Sequence, residues 1–401
     1  MNRDQSYKVY PMRWLVLAVF MFINLTIQIL WISYAPITGI AAKYYGVTDL
    51  QIGFLAMTFM IAFIPLSIPV SWLIDTIGFK RSVSIGAVIM GIFGLARGLP
   101  GLNYQMVLLC TIGIAIAQPF LLNAWTKIAA NWFSMNERAT AVGLVTLSGL
   151  VGTALGMVIT PILVETIPIS AIQLIYGALA AFSALLFLIF SKDKPLTAPC
   201  PPGMESRSLM LDGLKTAIRV KDFWLYILIF FIGMGIFNGI TTWVETIIRP
   251  RGFSAMDAGT MGALMLGGGL VGAVVIPALS DRNGKRVPYL RLGFLCAIPG
   301  LIGLAFAQTQ IVLFASAFFL GFFLISAGPI GMQYSAEITN PTPEGTSNGL
   351  IQLFGQLSVV FVYIMEAMRD ANGEFFPAMM VSIGLLILSS GITLLMKEPG
   401  K

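Results

Sequence analysis

The sequence predicts an all-α membrane protein: twelve transmembrane helices in two six-helix bundles, with both termini in the cytoplasm. Three observations predict it. Hydrophobic residues make up 57% of the 401-residue chain and charged ones 10%, where a soluble domain carries roughly 25% charge. So much apolar surface finds shelter only in a bilayer. The stretch Asp75-Thr-Ile-Gly78-Phe-Lys80-Arg81 returns as Asp281-Arg-Asn-Gly284-Lys285-Arg286, 206 residues later, which is about half the chain. Of the 24 Lys and Arg, 19 fall in loops on the side of the termini, and five (Lys43, Arg97, Arg249, Arg251 and Arg369) fall on the other. Basic residues mark the cytoplasmic face.

In chain order the spans fall near 12–37, 50–74, 82–99, 104–130, 139–164 and 169–191, then near 223–248, 256–279, 288–306, 310–334, 346–368 and 375–396. Each is long enough to cross the hydrocarbon core. The long polar segment 192–222 holds Pro195, Pro199, Pro201, Pro202 and Gly203 and separates six spans from six. The chain therefore divides into an N-terminal bundle (1–191), a cytoplasmic linker (192–222) and a C-terminal bundle (223–401). The halves also match at Glu137 and Glu344, Gly143 and Gly349, and Pro119 and Pro329, 206 to 210 residues apart. Parallel repeats related about the membrane normal, with a site between them, are the arrangement expected of such a duplication.

Each copy of the repeated stretch sits in a short loop between apolar runs. Its acid closes one helix, its glycine permits a tight reversal, and its bases hold the turn at the cytoplasmic face. Asp75, Gly78 and Arg81, with Asp281, Gly284 and Arg286, are the expected inner-gate residues. The two aspartates are expected to bond neighbouring helix ends and bases such as Arg138.

Polar side chains inside spans are costly and tend to face a cavity. Span 1 sets Asn24, Gln28 and Trp31 on one helical face, with Tyr34 a turn beyond. Span 4 carries Gln118 beside Pro119, a residue that frees backbone carbonyls. Span 7 carries Asn238, Thr241, Thr242 and Glu245, and span 11 carries Gln352 and Gln356. Asn24, Gln28, Trp31, Gln118, Asn238, Thr242, Glu245, Gln352 and Gln356 are the candidate substrate-binding set. No Lys or Arg stands at mid-span, which disfavours anionic substrates, and no central carboxylate supports strict proton coupling. A neutral pocket with an aromatic wall suits a cationic or zwitterionic amine, held by the Trp31 face at ~2 kcal/mol.

The duplicated loop resembles the signature of the major facilitator superfamily. The run Trp31-Ile-Ser-Tyr34-Ala-Pro-Ile, the stretch Ala117-Gln118-Pro119-Phe120 through Asn131-Trp132-Phe133, and Glu344-Gly345-Thr346-Ser347 before Gln356 resemble the feline leukaemia virus subgroup C receptor family. That resemblance implies transport of choline, ethanolamine or haem, with Trp31, Gln118 and Gln356 lining a choline site. Asn238 stands where the family has a tyrosine, which opens one wall of the aromatic cage. An aromatic amino acid such as L-tyrosine is therefore the alternative substrate, with haem a less favoured third.

The remaining features exclude other classes. The chain has no histidine, and Cys110, Cys200 and Cys296 are too far apart for a metal or disulfide pattern. No catalytic constellation is visible, so an enzyme is not expected, nor is a metal, a cofactor or a nucleic-acid partner. The expected partners are a small-molecule substrate and the lipid bilayer, and the chain is expected to work as a monomer in the cell membrane. A receptor would need larger outer loops, and the doubled gate argues for alternating access over a channel.

Overall fold

The computed structural model describes residues 10–99, 101, 103–134, 137–197, 199, 214–340 and 344–399. Residues 198 and 200–213 of the 192–222 linker, Cys200 among them, and the bases Arg3, Lys8, Arg207 and Lys401 lie outside them. Among the described residues the secondary structure is helical, without strands. The first half runs α1 (Met12–Ile32), α2 (Thr38–Tyr45), α3 (Asp49–Ile77), α4 (Phe79–Arg97), α5 (Tyr104–Leu122), α6 (Trp125–Trp132), α7 (Arg138–Val164) and α8 (Ile169–Phe190). A short α9 (Leu214–Ala217) precedes the second half. There follow α10 (Lys221–Thr242), α11 (Val244–Ile248), α12 (Ala255–Asn283), α13 (Val287–Phe306), α14 (Gln310–Ile338), α15 (Glu344–Leu357), α16 (Val359–Ala367) and α17 (Phe376–Ile392). Eleven helical stretches among the described residues are long and apolar enough to cross a membrane, and the 17-residue α17 is a shorter apolar helix in the twelfth place.

Four spans are interrupted rather than continuous. Span 1 stops at Ile32 and resumes, after a 3-10 turn at Ala35–Ile37 with Pro36 in it, as α2. Span 4 breaks at Asn123–Ala124, span 7 at Trp243 and span 11 at Ser358. These are the four spans whose polar faces the sequence displays. Span 10, with a thinner polar face, is one unbroken 29-residue helix despite Pro329. A broken helix at membrane depth leaves carbonyls and polar side chains to be met by neighbours or by a ligand.

The chain forms two compact units whose borders differ from those of the sequence repeat. One holds 1–31, 62–152 and 167–209; the other holds 32–61, 153–166 and 210–401. The second unit thus includes first-half segments next to the loops that the charge bias assigns to the outside. Packing explains their membership. A Cβ added to Gly53 would strike the Trp243 ring, and ones on Gly259 and Gly262 would strike Met157. Trp243 is fully buried and its indole donates to the Val362 carbonyl at 2.9 Å.

Small residues set the helix contacts inside each unit. In the first, Gly94 of α4 and Gly177 of α8 face one another so closely that a side chain on Gly177 would meet the Gly94 backbone. In the second, Gly268 and Gly272 of α12 lie against the Phe318 and Phe322 carbonyls of α14. This is the small-xxx-small spacing that lets membrane helices approach. Arg97, counted above among the outer-loop bases, is instead 1% exposed, and its guanidinium donates to the Leu30 carbonyl at 3.0 Å. It closes the end of α1, where the break leaves carbonyls without helical partners.

Candidate functional site

The repeated turns form as the glycines predict. Gly78 has φ +95° and Gly284 has φ +61°, conformations that side chains resist. In the first unit Lys127 of α6 donates to Asp75 at 2.8 Å. Arg138, at the start of α7, donates to the Ala130 carbonyl at 3.3 Å. Arg81 is exposed. In the second unit Asp281 pairs with Arg286 of its own turn. Arg286 also grips Glu337 of α14 through Nη2 at 2.9 Å and Nε at 3.2 Å. Desolvation lowers the Arg286 pKa, but the bonds from Glu337 and Asp281 outweigh it and raise the value.

Two carboxylates that the sequence reading missed complete these turns. Asp193 accepts from the Lys80 backbone N–H at 2.9 Å, and Glu398 accepts from those of Arg286 and Val287, both at 3.0 Å. Each meets an orphan N–H at a helix start and complements its positive end. They stand 205 residues apart, each next to a lysine at the close of its six-helix half. Lys127 and Glu337, also missed, stand 210 apart, the spacing of Pro119 and Pro329.

The candidate binding residues fall into three groups. Asn24 works within the protein: its Nδ2 donates to the Phe20 carbonyl at 2.9 Å and its Oδ1 accepts from the Trp125 indole at 2.7 Å. Asn238 donates to Ser358 Oγ at 3.0 Å, and thereby ties span 7 to the break in span 11. Gln28, Gln118 and Thr242 form the second group. Gln28 Oε1, Gln118 Oε1 and Thr242 Oγ1 are buried oxygens with no hydrogen-bond partner among the described residues. Trp31 is half-buried at the last turn of α1, Gln356 is half-buried, and Gln352 is exposed.

Glu245 stands apart from all three groups. Its carboxylate accepts from the Gly39 N–H at 3.2 Å and from Arg249 at 3.2 and 3.4 Å. Arg249 reaches Asp49, at the start of α3, at 2.5 Å. Arg369 bridges Asp49 at 3.4 Å and Glu366 at 2.9 Å. This cluster joins first-half and second-half segments within the second unit. Asp49 and Arg249 are 200 residues apart and sit beside short loops, so sequence pattern alone gives no cue to their pairing.

A sequence model described as Major Facilitator Superfamily matches residues 15–363. Solute carrier family 49 member A3 of Xenopus tropicalis is 31% identical over 91% of this chain and 79% of its own length. Choline/ethanolamine transporter FLVCR2 of Homo sapiens is 26% identical over 97% of this chain and 78% of its own. Among solved structures, an inward-facing, unoccupied bacterial homolog of the human lysosomal transporter Spinster superposes with a TM-score of 0.81 at 16% identity, covering 97% of each chain. The chain belongs to the major facilitator superfamily and is a multi-pass membrane transporter.

Proposed function

We propose that this protein is a secondary transporter of a small amine-bearing cation or zwitterion, choline-like, working by alternating access in the cell membrane with both termini in the cytoplasm. The observation that carries the solute class is the pair of buried amide oxygens, Gln28 Oε1 and Gln118 Oε1, left without partners in the unit that bears Trp31. A buried acceptor with no donor costs about 1–3 kcal/mol, and such groups call for an explanation. Acceptors want donors, which an ammonium or a solute hydroxyl supplies. The Trp31 face adds cation–π attraction of ~2 kcal/mol once water is excluded. The choline and ethanolamine named for human FLVCR2 fall in this chemical class.

Melting of the purified protein with choline, ethanolamine and L-tyrosine tests the reading. A ligand at a hundred times its dissociation constant stabilises the folded state by about 2.7 kcal/mol. Choline or ethanolamine should raise the melting temperature, and Trp31→Ala should abolish the rise. Gln118→Leu should also lose the rise while melting higher than the parent without ligand, because it removes an unpaired buried oxygen. A rise with L-tyrosine alone, or one undiminished in Trp31→Ala, overturns the proposal.

A further inference from the structure

The outer ion cluster holds three carboxylates, Asp49, Glu245 and Glu366, against two guanidinium groups, Arg249 and Arg369. Asp49 is the best matched, since it faces both arginines, one of them at 2.5 Å. Glu366 has Arg369 at 2.9 Å on Oε1, three residues along its own chain, while its Oε2 is buried without a partner among the described residues. Glu366 is therefore the rival for the proton that the test must separate from Glu245. Glu245 is the least exposed of the three, with 7% of its side chain accessible, and its arginine contacts are the longest made by that guanidinium. The other charged groups around it are committed or remote. Arg251, in the same turn as Arg249, donates to the carbonyls of Leu304, Ala305 and Ala307. On α12, which packs on α11, Asp257 holds its own helix cap and Gln310. On α2, Lys43 is exposed, and the Tyr45 hydroxyl meets Tyr34. On α10, Lys221 and Asp222 stand at the far end of the helix, where Asp222 accepts from the Lys397 N–H.

A half-buried cluster with one carboxylate in excess has a way to lose that excess: its most buried acid binds a proton. We propose that Glu245 is a proton-binding site, and that its protonation from the outer side releases the tie between the first-half segment at Gly39 and the turn at Arg249. One proton adds to a carboxylate oxygen, no other covalent bond changes, and the cluster passes from one net negative charge to none. The neutral acid no longer attracts Arg249 as an ion, and one oxygen turns from acceptor to donor, so the Gly39 N–H and Arg249 compete for less. Arg249 then belongs to Asp49. The consequence is a transporter whose outer gate opens more readily in acid, which couples the solute cycle to protons. The sequence reading disfavoured coupling through a central carboxylate; this site lies instead at the outer ends of the helices.

The inference rests on the transporter reading but not on the identity of the solute, and its test contains none. Spin labels are placed at Thr48→Cys and Asn372→Cys, both exposed beside outer loops, on a background of Cys110→Ser, Cys200→Ser and Cys296→Ser. Distance distributions are then measured by pulsed electron spin resonance in lipid nanodiscs at pH 8 and pH 5. In the parent, acid should shift population to a longer outer distance. In Glu245→Gln the longer population should already be present at pH 8, and acid should leave it unchanged. A parent distribution insensitive to pH overturns the proposal, as does a Glu245→Gln variant that still follows pH. Glu366→Gln, which keeps Glu245 intact, should respond to acid like the parent; loss of the response there and not in Glu245→Gln assigns the proton elsewhere and likewise overturns it.

Discussion

The two repeated turns share a glycine at positive φ and a capping acid, yet they carry opposite charge logic. In the first half the turn supplies the acid, Asp75, and the fourth span supplies the base, Lys127. In the second half the turn supplies the base, Arg286, and the tenth span supplies the acid, Glu337. Lys127 and Glu337 occupy matching places, 210 residues apart. The attraction between two charges is unchanged when they are exchanged, so a duplicated turn can keep its ion pair while its residues diverge. What does not survive the exchange is geometry. Lysine is a point charge, whereas Arg286 presents Nε and Nη2 together to Glu337.

Charge reversal tests that difference, and it carries the largest expected effect. Glu337→Lys sets a lysine against Arg286, whose side chain is 14% exposed, and leaves a nearly buried guanidinium facing a like charge. Breaking a fully buried pair costs about 3–5 kcal/mol; with Glu337 itself 30% exposed, we expect ~2 kcal/mol. Lys127→Glu, which opposes Asp75 across a point contact, should cost ~1 kcal/mol. Equal losses in thermal melts would break the comparison, because bidentate geometry would then contribute nothing. Joining Lys127→Glu with Asp75→Lys should restore most of the smaller loss if the pair acts by charge alone.

The capping acids come next. Asp193 and Glu398 accept backbone N–H groups at the starts of α4 and α13. Removing a helix cap costs about 0.5–2 kcal/mol. Glu398→Gln should cost more than Asp193→Asn, since Glu398 serves two N–H groups where Asp193 serves the one at Lys80. Hydrogen exchange at the first turn of α13 should rise more in Glu398→Gln than exchange at the first turn of α4 rises in Asp193→Asn. The reverse order would mean that a second acceptor oxygen adds nothing to the cap.

The inversion also explains what could and could not be read from the chain. The halves were legible through Asp75 and Asp281 because identical residues recur, and the polar faces of spans 1, 4, 7 and 11 were legible because amides stand out in apolar runs. Lys127 and Glu337 escaped notice because matching by identity passes over a position where the charge has changed sign, although their spacing equals that of Pro119 and Pro329. Arg97 was misplaced because a base near a span end reads as a loop anchor; only packing shows it buried against the Leu30 carbonyl. Asp49 and Arg249 meet across 200 residues, and neither carries a local pattern. Within the candidate binding set, composition could not tell an amide that holds its neighbours, such as Asn24, from one left unpaired, such as Gln118.

The smallest expected effect lies just beyond the first turn, where Arg13 and Ser134 hold Glu137. Ser134 donates to it at 2.7 Å, and Arg13 donates at 2.6 and 3.0 Å. The Ser134 hydroxyl first, then the Arg13 charge against some desolvation, keeps the Glu137 carboxyl below its ordinary range. A lowered folded pKa means that the folded state prefers the ionised form. Its contribution is therefore present above the unfolded glutamate value, near 4.3, and is lost as pH falls through the lower folded value. Glu137→Gln should melt slightly below the parent at pH 7, and the gap should close as pH falls below about 4. A gap that stays constant across that range would show that the substitution acts through packing rather than charge.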